Sequence, residues 1–510
     1  MNLMWKRSKV LYHDLWDAII IERKQSMKKT LLLACLTLSA NFAVAAEPSK
    51  DFMWGAASAS YQVEGNVNQD NRGKSIWDYY LTDKQLAGLG VTGEVAINFY
   101  DRDQYLKDIK LLKSLGINSY RFSIAWPRII PDGLGPVNMQ AVAHYRRFIT
   151  DLKLAGIKPV VTLYHWDMPL ALAQKGGWEN RDSIDWFNQY AQVIFENFGD
   201  IVQDYVLINE PSVEVAQNIK AKRYLAGDTS DSSLPIIATP ATLETSLKSY
   251  NHILLAAAKA KESFREGHYK GRLGVALPLS PILTAGDATD QDKADAKIAD
   301  GVLNRWFLDA IYKGTYPEDV LALAKKMNLK IDVQPTDAKT IHDAGFEFLG
   351  INYYAPFYVR HGKGKGYNPE TYIPKGQKAA FNGAVRPDQL TALLDRIRTE
   401  YGNPTVIITE NGAGFPGEDK LVKGMVVDTQ RCEYIKDHIK AMNEAMKHGS
   451  KVDGYMVWSS HDNLEWLEGY KSRFGMIYVD WNTQKRTPKQ SAYVYGHIIK
   501  GDKIDTLSCK

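Results

Sequence analysis

The sequence predicts a single (β/α)8 barrel, an α/β fold of the TIM type with elaborated loops at the carboxyl ends of its strands. From about residue 50 onward, eight short apolar runs alternate with amphipathic helical stretches. Nearly continuous apolar runs are expected where both faces of a parallel sheet are buried. No linker rich in Pro, Ser or Gly and no internal repeat divides the chain. These observations favour one closed barrel over two separate domains.

The elements of this barrel follow the apolar periodicity along the chain. The strands are predicted at Phe52–Ala56, Ser119–Ser123, Pro159–Leu163, Tyr205–Ile208, Leu273–Leu277, Phe348–Ile351, Val406–Ile408 and Tyr455–Trp458. The helices between them are predicted at Asp103–Leu115, Ala141–Ala155, Trp186–Phe198, Thr242–Phe264, Gln389–Glu400 and Thr429–Met446.

The region before the barrel has the pattern of a secretory signal peptide. Met27-Lys28-Lys29 is followed by an apolar run at Leu31–Leu38 and by the small residues Ala43-Val44-Ala45. The apolar run is too short to span a bilayer. We expect residues 1–26 to be a misassigned extension, residues 27–46 a signal peptide for the periplasm or for secretion, and residues 47–510 the catalytic barrel. The alternative is an internal apolar stretch in a cytoplasmic protein.

Charge and cysteine content narrow the partners of the mature chain. The net charge is only +4 and no long run of Lys or Arg occurs, which excludes nucleic acid as an expected partner. The mature chain keeps Cys432 and Cys509, whose separation excludes a CxxC motif and gives no basis for a zinc site. Two unpaired thiols are the default, and an oxidising compartment would allow a disulfide. No metal or cofactor is expected, and no membrane span follows the signal region.

Polar side chains follow the predicted strands at their carboxyl ends, where barrels of this type carry their catalytic groups. They are Gln62, Arg121, His165, Asn209, Glu210, Asn352, Tyr353, Tyr354, Glu410, Asn411 and Trp458. Glu210 and Glu410 end the fourth and seventh strands, which face each other across the barrel mouth. A barrel built only for stability has no reason to place so many polar groups there.

Two opposed carboxyl groups suit glycoside hydrolysis. One must stay protonated to donate to the leaving oxygen, and the other must be ionised to attack the anomeric carbon. At a separation of about 5–5.5 Å no water fits between them, so a covalent glycosyl-enzyme forms and the configuration is retained. Arg121 is positioned to keep Glu410 ionised, and Asn209 to bond the 2-hydroxyl of the sugar.

Each motif has a structural explanation when it is taken singly. A Glu before Pro often ends a strand, and Asn-Gly marks turns. A buried His or Trp is often part of the core. The functional interpretation depends on all of them occurring at successive strand ends of one barrel.

Ten segments between Phe52 and about Ile499 carry a specific set of motifs in a fixed order. They are FMWGAASASYQVEGN, YRFSIAWPRI, TLYHWDMPLAL, GGWENRD, INEP, NRWFLD, FLGINYY, ITENG, WSSHDNLEW and GYKSRFGMIYVD. Together they resemble glycoside hydrolase family 1, the β-glucosidase family of retaining (β/α)8 hydrolases. The resemblance covers essentially the whole mature chain.

This resemblance implies a retaining β-glycosidase, most closely a β-glucosidase, that acts on β-linked disaccharides and on aryl or alkyl β-glycosides. It implies that Glu210 is the acid/base, that Glu410 is the nucleophile, and that Arg121 and Tyr354 contact the nucleophile. The residues implied to hold the non-reducing sugar are Gln62, His165, Asn209, Glu465 and Trp466, with Trp458 stacked beneath it. The choice among glucose, fucose and galactose stays open.

The chain departs from the family pattern outside its catalytic groups. The departures are Phe99 in place of His, Ser212 in place of Trp, Pro278 in place of Asn, Asn382-Gly383 in place of Gly-Trp, Ser460-His461 in place of an apolar pair, and Leu464 in place of Phe. We expect most of them near the aglycone or behind the site. They leave the preference for the leaving group open.

Several other activities share this fold. A 6-phospho-β-glucosidase usually has Ser at the position of Glu465 and an added Lys for the phosphate, and a plant-type thioglucosidase has Gln at the position of Glu210. A non-catalytic sugar-binding protein usually lacks one of the two carboxylates. A transglycosylase shares the covalent intermediate, so the sequence does not separate it from a hydrolase.

Overall fold

Eight parallel strands close into a barrel in the computed structural model, which describes residues 48–82, 92–227, 237, 239–363 and 367–510. The strands are β1 Met53–Ala57, β2 Ser119–Ser123, β3 Lys158–Tyr164, β4 Asp204–Asn209, β5 Arg272–Pro278, β6 Phe348–Asn352, β7 Val406–Asn411 and β8 Val452–Trp458. They pair in sequence order, and β8 closes on β1 through a ladder from Met53–Gly454 to Ala57–Trp458. The predicted fold class is confirmed. The expected extension and signal peptide, residues 1–46, lie outside the described residues.

Several strands run further than the apolar pattern predicts, and in β4 and β7 the added residues include predicted strand-end polar groups. β4 includes Asn209, and β7 includes Glu410 and Asn411. The pairing of β7 with β6 shifts register between Ile408 and Glu410, and that of β4 with β5 shifts between Val206 and Asn209. Such irregularities bend a strand and redirect its side chains. The polar ends of β4 and β7 are therefore part of the sheet.

The longer helices are connections between barrel strands or follow the last strand. They are α1 Arg102–Ser114, α2 Met139–Leu154, α3 Ser183–Phe198, α4 Pro211–Leu225, α5 Pro240–Glu266, α6 Asp290–Asp300, α7 Trp306–Lys313, α8 Glu318–Lys326, α9 Pro387–Glu400, α10 Thr429–Lys447 and α11 Gln490–Ile499. Each of the six predicted helices is present. No helix in the described part of the chain is long and apolar enough to cross a membrane.

Shorter elements elaborate the loops. The short helical segments are Ser60–Val63, Gln69–Asn71, Ile76–Thr82, Trp126–Ile129, Leu170–Ala173, Gly177–Glu179, Gly301–Arg305, Asp337–Asp343, Trp466–Glu468 and Ile504–Thr506. The short strands are Ile282–Leu283, Phe357–His361, Pro369–Tyr372, Ala379–Ala380, Gly383–Ala384, Leu421–Val422, Met425–Val426, Ile477–Val479 and Arg486–Pro488.

The barrel interior is filled by buried apolar side chains from several strands. Val160, Val206, Ile407 and Met456 belong to one such cluster. Gly55 on β1 allows close packing there, because a Cβ at this position would lie 2.7 Å from the Met456 sulfur. The barrel is thus a packed core with its site at one end.

Cys432 and Cys509 form a disulfide. Cys432 lies in α10 and Cys509 in the carboxyl-terminal tail, with their Cα atoms 5.6 Å apart. The Thr429 hydroxyl also donates to the Cys509 carbonyl at 2.9 Å. The tail is thereby fixed against α10, and the expectation of two unpaired thiols is replaced by the disulfide alternative.

Candidate active site

The carboxyl ends of the barrel strands surround a cavity of about 360 Å³. Seven of the ten predicted site residues line it: His165, Glu210, Tyr354, Glu410, Trp458, Glu465 and Trp466. The other three, Gln62, Arg121 and Asn209, are completely buried behind its wall. They contact Glu465, Glu410 and His165 respectively, so that all ten belong to one connected site.

The cavity has two halves that differ in exposure. We define the inner half by His165, Glu410, Trp458, Glu465 and Trp466, which are buried apart from the part of Glu465 that remains accessible. We define the outer half by residues that are half-buried or exposed: Val213, Ala216, Gln217, Lys220, Phe357, Phe381 and Asn382. Glu210 lies at the start of α4, which continues into the outer half.

Glu410 is held by two donors. Arg121 Nη1 lies 2.6 Å from Oε1, and the Tyr354 hydroxyl lies 2.6 Å from Oε2. Burial raises the pKa of Glu410 above its ordinary value, but Arg121 and Tyr354 both oppose this rise. An adjacent cation and a hydrogen-bond donor favour the ionised form of a carboxyl group.

Arg121 organises the base of the site from β2. Its guanidinium donates to Glu410, to the Thr409 carbonyl at 3.1 Å, to Asn209 Oδ1 at 2.5 Å and to Thr162 Oγ1 at 3.1 Å. The side chain is completely buried. Because Nε, Nη1 and Nη2 of this buried guanidinium are all hydrogen-bonded, its orientation is fixed. Arg121 therefore holds the Glu410 carboxylate of β7 in place relative to the Asn209 carboxamide of β4.

Glu210 lies in a different environment from Glu410. Burial raises its pKa well above the ordinary value, and the negative charge of Glu410 raises it further. Its nearest opposing influences are a hydrogen bond with Asn352 and the more distant charge of Arg121. When Glu210 and Glu410 hold one proton between them, these surroundings favour the state in which Glu210 is protonated and Glu410 is ionised.

The backbone of Glu210 is also unusual. Its φ of 48° lies in the left-handed region, which is uncommon for a residue with a side chain. Its amide donates to the Ala276 carbonyl at 2.9 Å, and Pro211 begins α4 immediately afterwards. Pro at the first helical position needs no hydrogen bond, so the chain turns from β4 into α4 within one residue.

His165 presents a neutral imidazole to the cavity. Burial and the charge of Arg121 lower its pKa well below the ordinary value. Asn209 Nδ2 lies 3.1 Å from Nε2 and donates to it, which leaves the proton of a neutral ring on Nδ1. Within the described residues, Nδ1 has no hydrogen-bond partner. It can therefore donate to a ligand.

Gln62 and Glu465 form a polar cluster at the inner end. Gln62 Nε2 donates to the Leu464 carbonyl at 2.7 Å and lies 3.4 Å from Glu465 Oε2. Burial, with a further contribution from Glu410, raises the pKa of Glu465 to about 8.

Aromatic rings form the walls of the inner half. The His165 ring lies 5.7 Å from the Trp458 ring and 5.9 Å from the Trp466 ring, and both pairs are stacked. Trp166, which also lines the cavity, packs against Trp466 at 4.6 Å. These faces suit contact with the C–H faces of a pyranose ring.

A glycine closes the wall behind Glu410. Gly412 follows Glu410-Asn411, and a Cβ on it would lie 1.7 Å from the Trp458 carbonyl oxygen. No other residue fits without displacement of that strand end. The Asn-Gly pair here thus reflects a close approach between β7 and β8.

A buried ion network supports the loop that carries Glu465. Asp462 on this loop accepts from Lys489 Nζ at 2.7 Å and from Arg473 Nη1. Lys489, which is completely buried, also pairs with Asp419 on the loop after β7. The network connects the loop after β7 to the loop that carries Glu465.

Sequence reasoning named Asn382 but missed the rest of the outer half, and it gave Asn352 no role. Asn352 had appeared only among the strand ends, yet its amide bonds to Asn209 Oδ1 at 3.1 Å and influences both carboxylates. Val213, Gln217 and Lys220 recur at helical spacing directly after the Asn-Glu-Pro motif, which was a usable signal. Phe357 and Phe381 carried no signal in the sequence.

The departures from the family pattern divide into two groups. Ser212, Pro278 and Asn382 line the cavity. Phe99 and His461 do not line it, and their rings meet edge-on at 6.0 Å. His461 also lies 3.4 Å from Asp108. The first group therefore contributes to the site, and the second forms part of the packing behind it.

Comparisons with known proteins agree with this geometry. The profile of Glycosyl hydrolase family 1 matches residues 45–504. The chain is 63% identical to beta-glucosidase A of Enterobacter agglomerans over 91% of this chain and 97% of that protein. It is 38% identical to beta-glucosidase A of Acetivibrio thermocellus over 89% of this chain and 98% of that protein. The family 1 β-glucosidase structure from Thermotoga maritima superposes with a TM-score of 0.80 at 36% identity, over 89% of this chain and 98% of that one.

Proposed function

The chain belongs to glycosyl hydrolase family 1, and from this premise we propose that it is a retaining β-glucosidase that acts by double displacement. It is a glycoside hydrolase of the β-glucosidase type. The observation that supports this mechanism is that the two carboxyl groups in the cavity, Glu210 and Glu410, have different hydrogen-bond partners. Arg121 and Tyr354 both bond Glu410, and neither hydrogen-bonds to Glu210.

In the first step the two carboxyls act together on the glycosidic bond. Glu210 donates its proton to the glycosidic oxygen as the C1–O bond breaks, and Glu410 attacks C1 to form a glycosyl ester. The aglycone leaves as a neutral alcohol. A raised pKa on the acid and an ionised nucleophile are what this step requires.

In the second step the roles reverse. Glu210, now ionised, removes a proton from water as the water oxygen attacks C1, and the ester bond to Glu410 breaks. Two inversions at C1 give net retention. Glu210 regains its proton and Glu410 its negative charge, so the enzyme returns to its starting state.

The inner half supplies the contacts for the sugar. His165 Nδ1 has no hydrogen-bond partner within the described residues and can donate to the sugar, and Asn209 lies directly behind this ring. Glu465 and Gln62 offer oxygens at the other end of the half, and Trp458 offers a ring face. We assign these residues to the hydroxyls and the apolar face of the non-reducing glycosyl unit.

Unphosphorylated glycosides are the proposed substrates. Glu465 stands where a 6-phospho-β-glucosidase has a smaller residue, and in its ionised form Glu465 repels a phosphate dianion. Among the described residues that line the cavity, Lys220 is the one lysine, and it belongs to the outer half beside Glu468. Comparing kcat/KM for cellobiose and its 6′-phosphate tests this assignment, and a preference for the phosphorylated sugar would contradict it.

The two carboxyl roles are tested by azide rescue. In Glu210→Ala, an aryl glycoside with a good leaving group should still form the glycosyl-enzyme, while a poor alcohol leaving group should react roughly 10²–10⁴-fold more slowly. Azide should then resolve the intermediate to the β-azide. In Glu410→Ala, azide should attack directly and give the α-azide. Proton NMR distinguishes the two products, and the reverse pattern would show that the roles are exchanged.

We also propose that the protein is exported. The motif order after Met27 supports this, and so does the disulfide between Cys432 and Cys509, because such bonds persist in oxidising compartments. Sequencing the mature amino terminus should find cleavage near Ala45 or Ala46. A mature chain that retains Met27, or two free thiols in the denatured protein, would count against export.

A further inference from the structure

The outer half of the cavity has two walls of different origin. One wall is a face of α4, where Val213, Gln217 and Lys220 follow one another at helical spacing. The other wall includes Phe381 and Asn382, the two residues between the short paired strands Ala379–Ala380 and Gly383–Ala384. The Phe381 amide donates to the Gly414 carbonyl at 2.9 Å, which fixes this hairpin against the loop that follows β7.

The α4 wall extends outward from the acid/base. Gln217 is seven residues beyond Glu210, which is about 10 Å along a helix axis. The Lys220–Glu468 ion pair, with a distance of 3.5 Å, follows one turn later. A group attached to the glycosidic oxygen at Glu210 would therefore pass Gln217 before it reaches this ion pair.

Two carboxamide oxygens in these walls have no hydrogen bond to the described part of the protein. Both Gln217 Oε1 and Asn382 Oδ1 are buried and have no hydrogen-bond partner within the described residues. This contrasts with Asn209, whose carboxamide oxygen accepts from both Arg121 and Asn352. A buried carbonyl oxygen without a partner is uncommon and unfavourable unless water or a ligand satisfies it.

The rest of the outer half is apolar. Val213, Phe357 and Phe381 contribute side chains without polar groups, and Phe381 packs edge-on against Phe474 at 6.1 Å. The combination of apolar faces and uncommitted carboxamides matches a ring that has C–H faces and hydroxyl groups. A ring without hydroxyls would displace water from the carboxamides and return no hydrogen bond.

We propose that Gln217 and Asn382 determine leaving-group specificity, by favouring aglycones that carry hydroxyl groups over apolar aglycones of the same size. The inference rests on the proposed β-glucosidase function, because it concerns the group that Glu210 protonates. A carboxamide can donate and accept, so each residue can pair with a hydroxyl in either orientation of its amide. The discriminating contact lies on α4 and on the Phe381–Asn382 turn.

The test compares two substrates that differ only in hydroxylation of the aglycone ring. Cellobiose and cyclohexyl β-glucoside both have a six-membered ring and an alcohol leaving group that needs protonation. The measured quantity is the ratio of kcat/KM for cellobiose to kcat/KM for cyclohexyl β-glucoside. Gln217→Met and Asn382→Leu keep side-chain size, and each should lower this ratio roughly five- to tenfold, the effect of one lost hydrogen bond.

A matched control lies on the same helix. Lys222→Met changes a largely exposed residue of α4 that does not line the cavity, and it should leave the ratio unchanged. Thermal unfolding of all three variants checks that each one is folded. An unchanged ratio in folded Gln217→Met and Asn382→Leu would overturn the proposal.

The experiment also separates this inference from the function beneath it. If the wild type hydrolyses 4-nitrophenyl β-glucoside but the variants keep the wild-type ratio, only the specificity assignment fails. If the wild type hydrolyses none of the three glucosides, the proposed function fails, and this inference fails with it.

Discussion

The inner and outer halves of the cavity are built on different principles. Directly behind the inner half, Arg121, Asn209 and Gln62 are completely buried, and each one is hydrogen-bonded to another site residue. In the outer half, Gln217 and Asn382 are more exposed, and their carboxamide oxygens have no partner within the described chain. The inner half is thus oriented before a ligand arrives, whereas the outer half offers groups whose partners a ligand must supply.

This difference separates two requirements of catalysis. Groups that act on the reacting atoms must be held in place before the reaction, because reorientation during the reaction would add to the barrier. Groups that choose the leaving group need only be available. A change in the inner half should therefore reduce turnover of every substrate, whereas a change in the outer half should alter the choice among substrates.

The largest effect should come from removal of the inner cation. Arg121→Met leaves Glu410 buried without its charged partner, so we expect kcat/KM to fall roughly 10³-fold for every β-glucoside. Because Arg121 lowers the pKa of Glu410, the acidic limb of the pH–rate profile should move to higher pH. Steady-state kinetics across pH measures both effects. A loss confined to one aglycone would contradict the contrast between the halves.

The network behind the inner half should account for a large part of local stability. Lys489→Met leaves Asp462 and Asp419 without their shared buried cation, and we expect a loss of about 3–5 kcal/mol in the free energy of unfolding. Denaturant unfolding measures it. The exposed Lys500→Met is the control and should change stability by less than about 0.5 kcal/mol. Equal effects of the two substitutions would show that the network does not stabilise the fold.

The helix that forms the outer wall has a buried acid on its other side. Glu214 Oε1 accepts from Tyr164 and from Trp178 Nε1 at 3.1 Å, and burial raises its pKa to about 8. The pKa of Glu214 in the unfolded chain is about 4.3, so between about pH 4.3 and pH 8 Glu214 is protonated in the folded state and ionised in the unfolded state. The free energy of unfolding therefore falls as pH rises through this range.

Glu214→Gln should remove that dependence. Relative to the wild type, the variant should gain roughly 2–4 kcal/mol of stability between pH 5 and pH 9. Unfolding measured at both pH values tests this, with the exposed Glu196→Gln as a control. If the wild type and Glu214→Gln lost stability in parallel over this range, Glu214 would not be the titrating group.

The smallest effect should come from the second donor to Glu410. Tyr354→Phe removes one hydrogen bond and leaves Arg121 in place, so kcat/KM should fall roughly tenfold for all aglycones. The neighbouring Tyr353, whose hydroxyl donates to the Arg386 carbonyl, gives the control Tyr353→Phe, which should stay close to the wild type. A stronger loss in Tyr354→Phe than in Arg121→Met would reverse the proposed order of the two contacts.

The sequence by itself determined the barrel, its eight strands and the ten residues of the predicted site. Strands buried on both faces leave uninterrupted apolar runs, and the polar groups that end them stand out by contrast, as Asn209-Glu210 and Glu410 do. Motif resemblance added Glu465 and Trp466, which lie in a loop. The residues of the inner half could be predicted because most of them are polar or aromatic residues at strand ends, and both features can be recognised in the sequence.

Only the tertiary structure decided what surrounds these groups. The bond from Arg121 to Glu410 joins residues 289 positions apart, and the contact of Gln62 with Glu465 joins residues 403 positions apart. The sequence likewise does not show that the carboxamide oxygens of Gln217 and Asn382 lack partners among the described residues, because every Asn or Gln has the same capacity for hydrogen bonds. Whether that capacity is used depends on which distant segments fold against it, and this is why the leaving-group side of the cavity could be described only once the chain was folded.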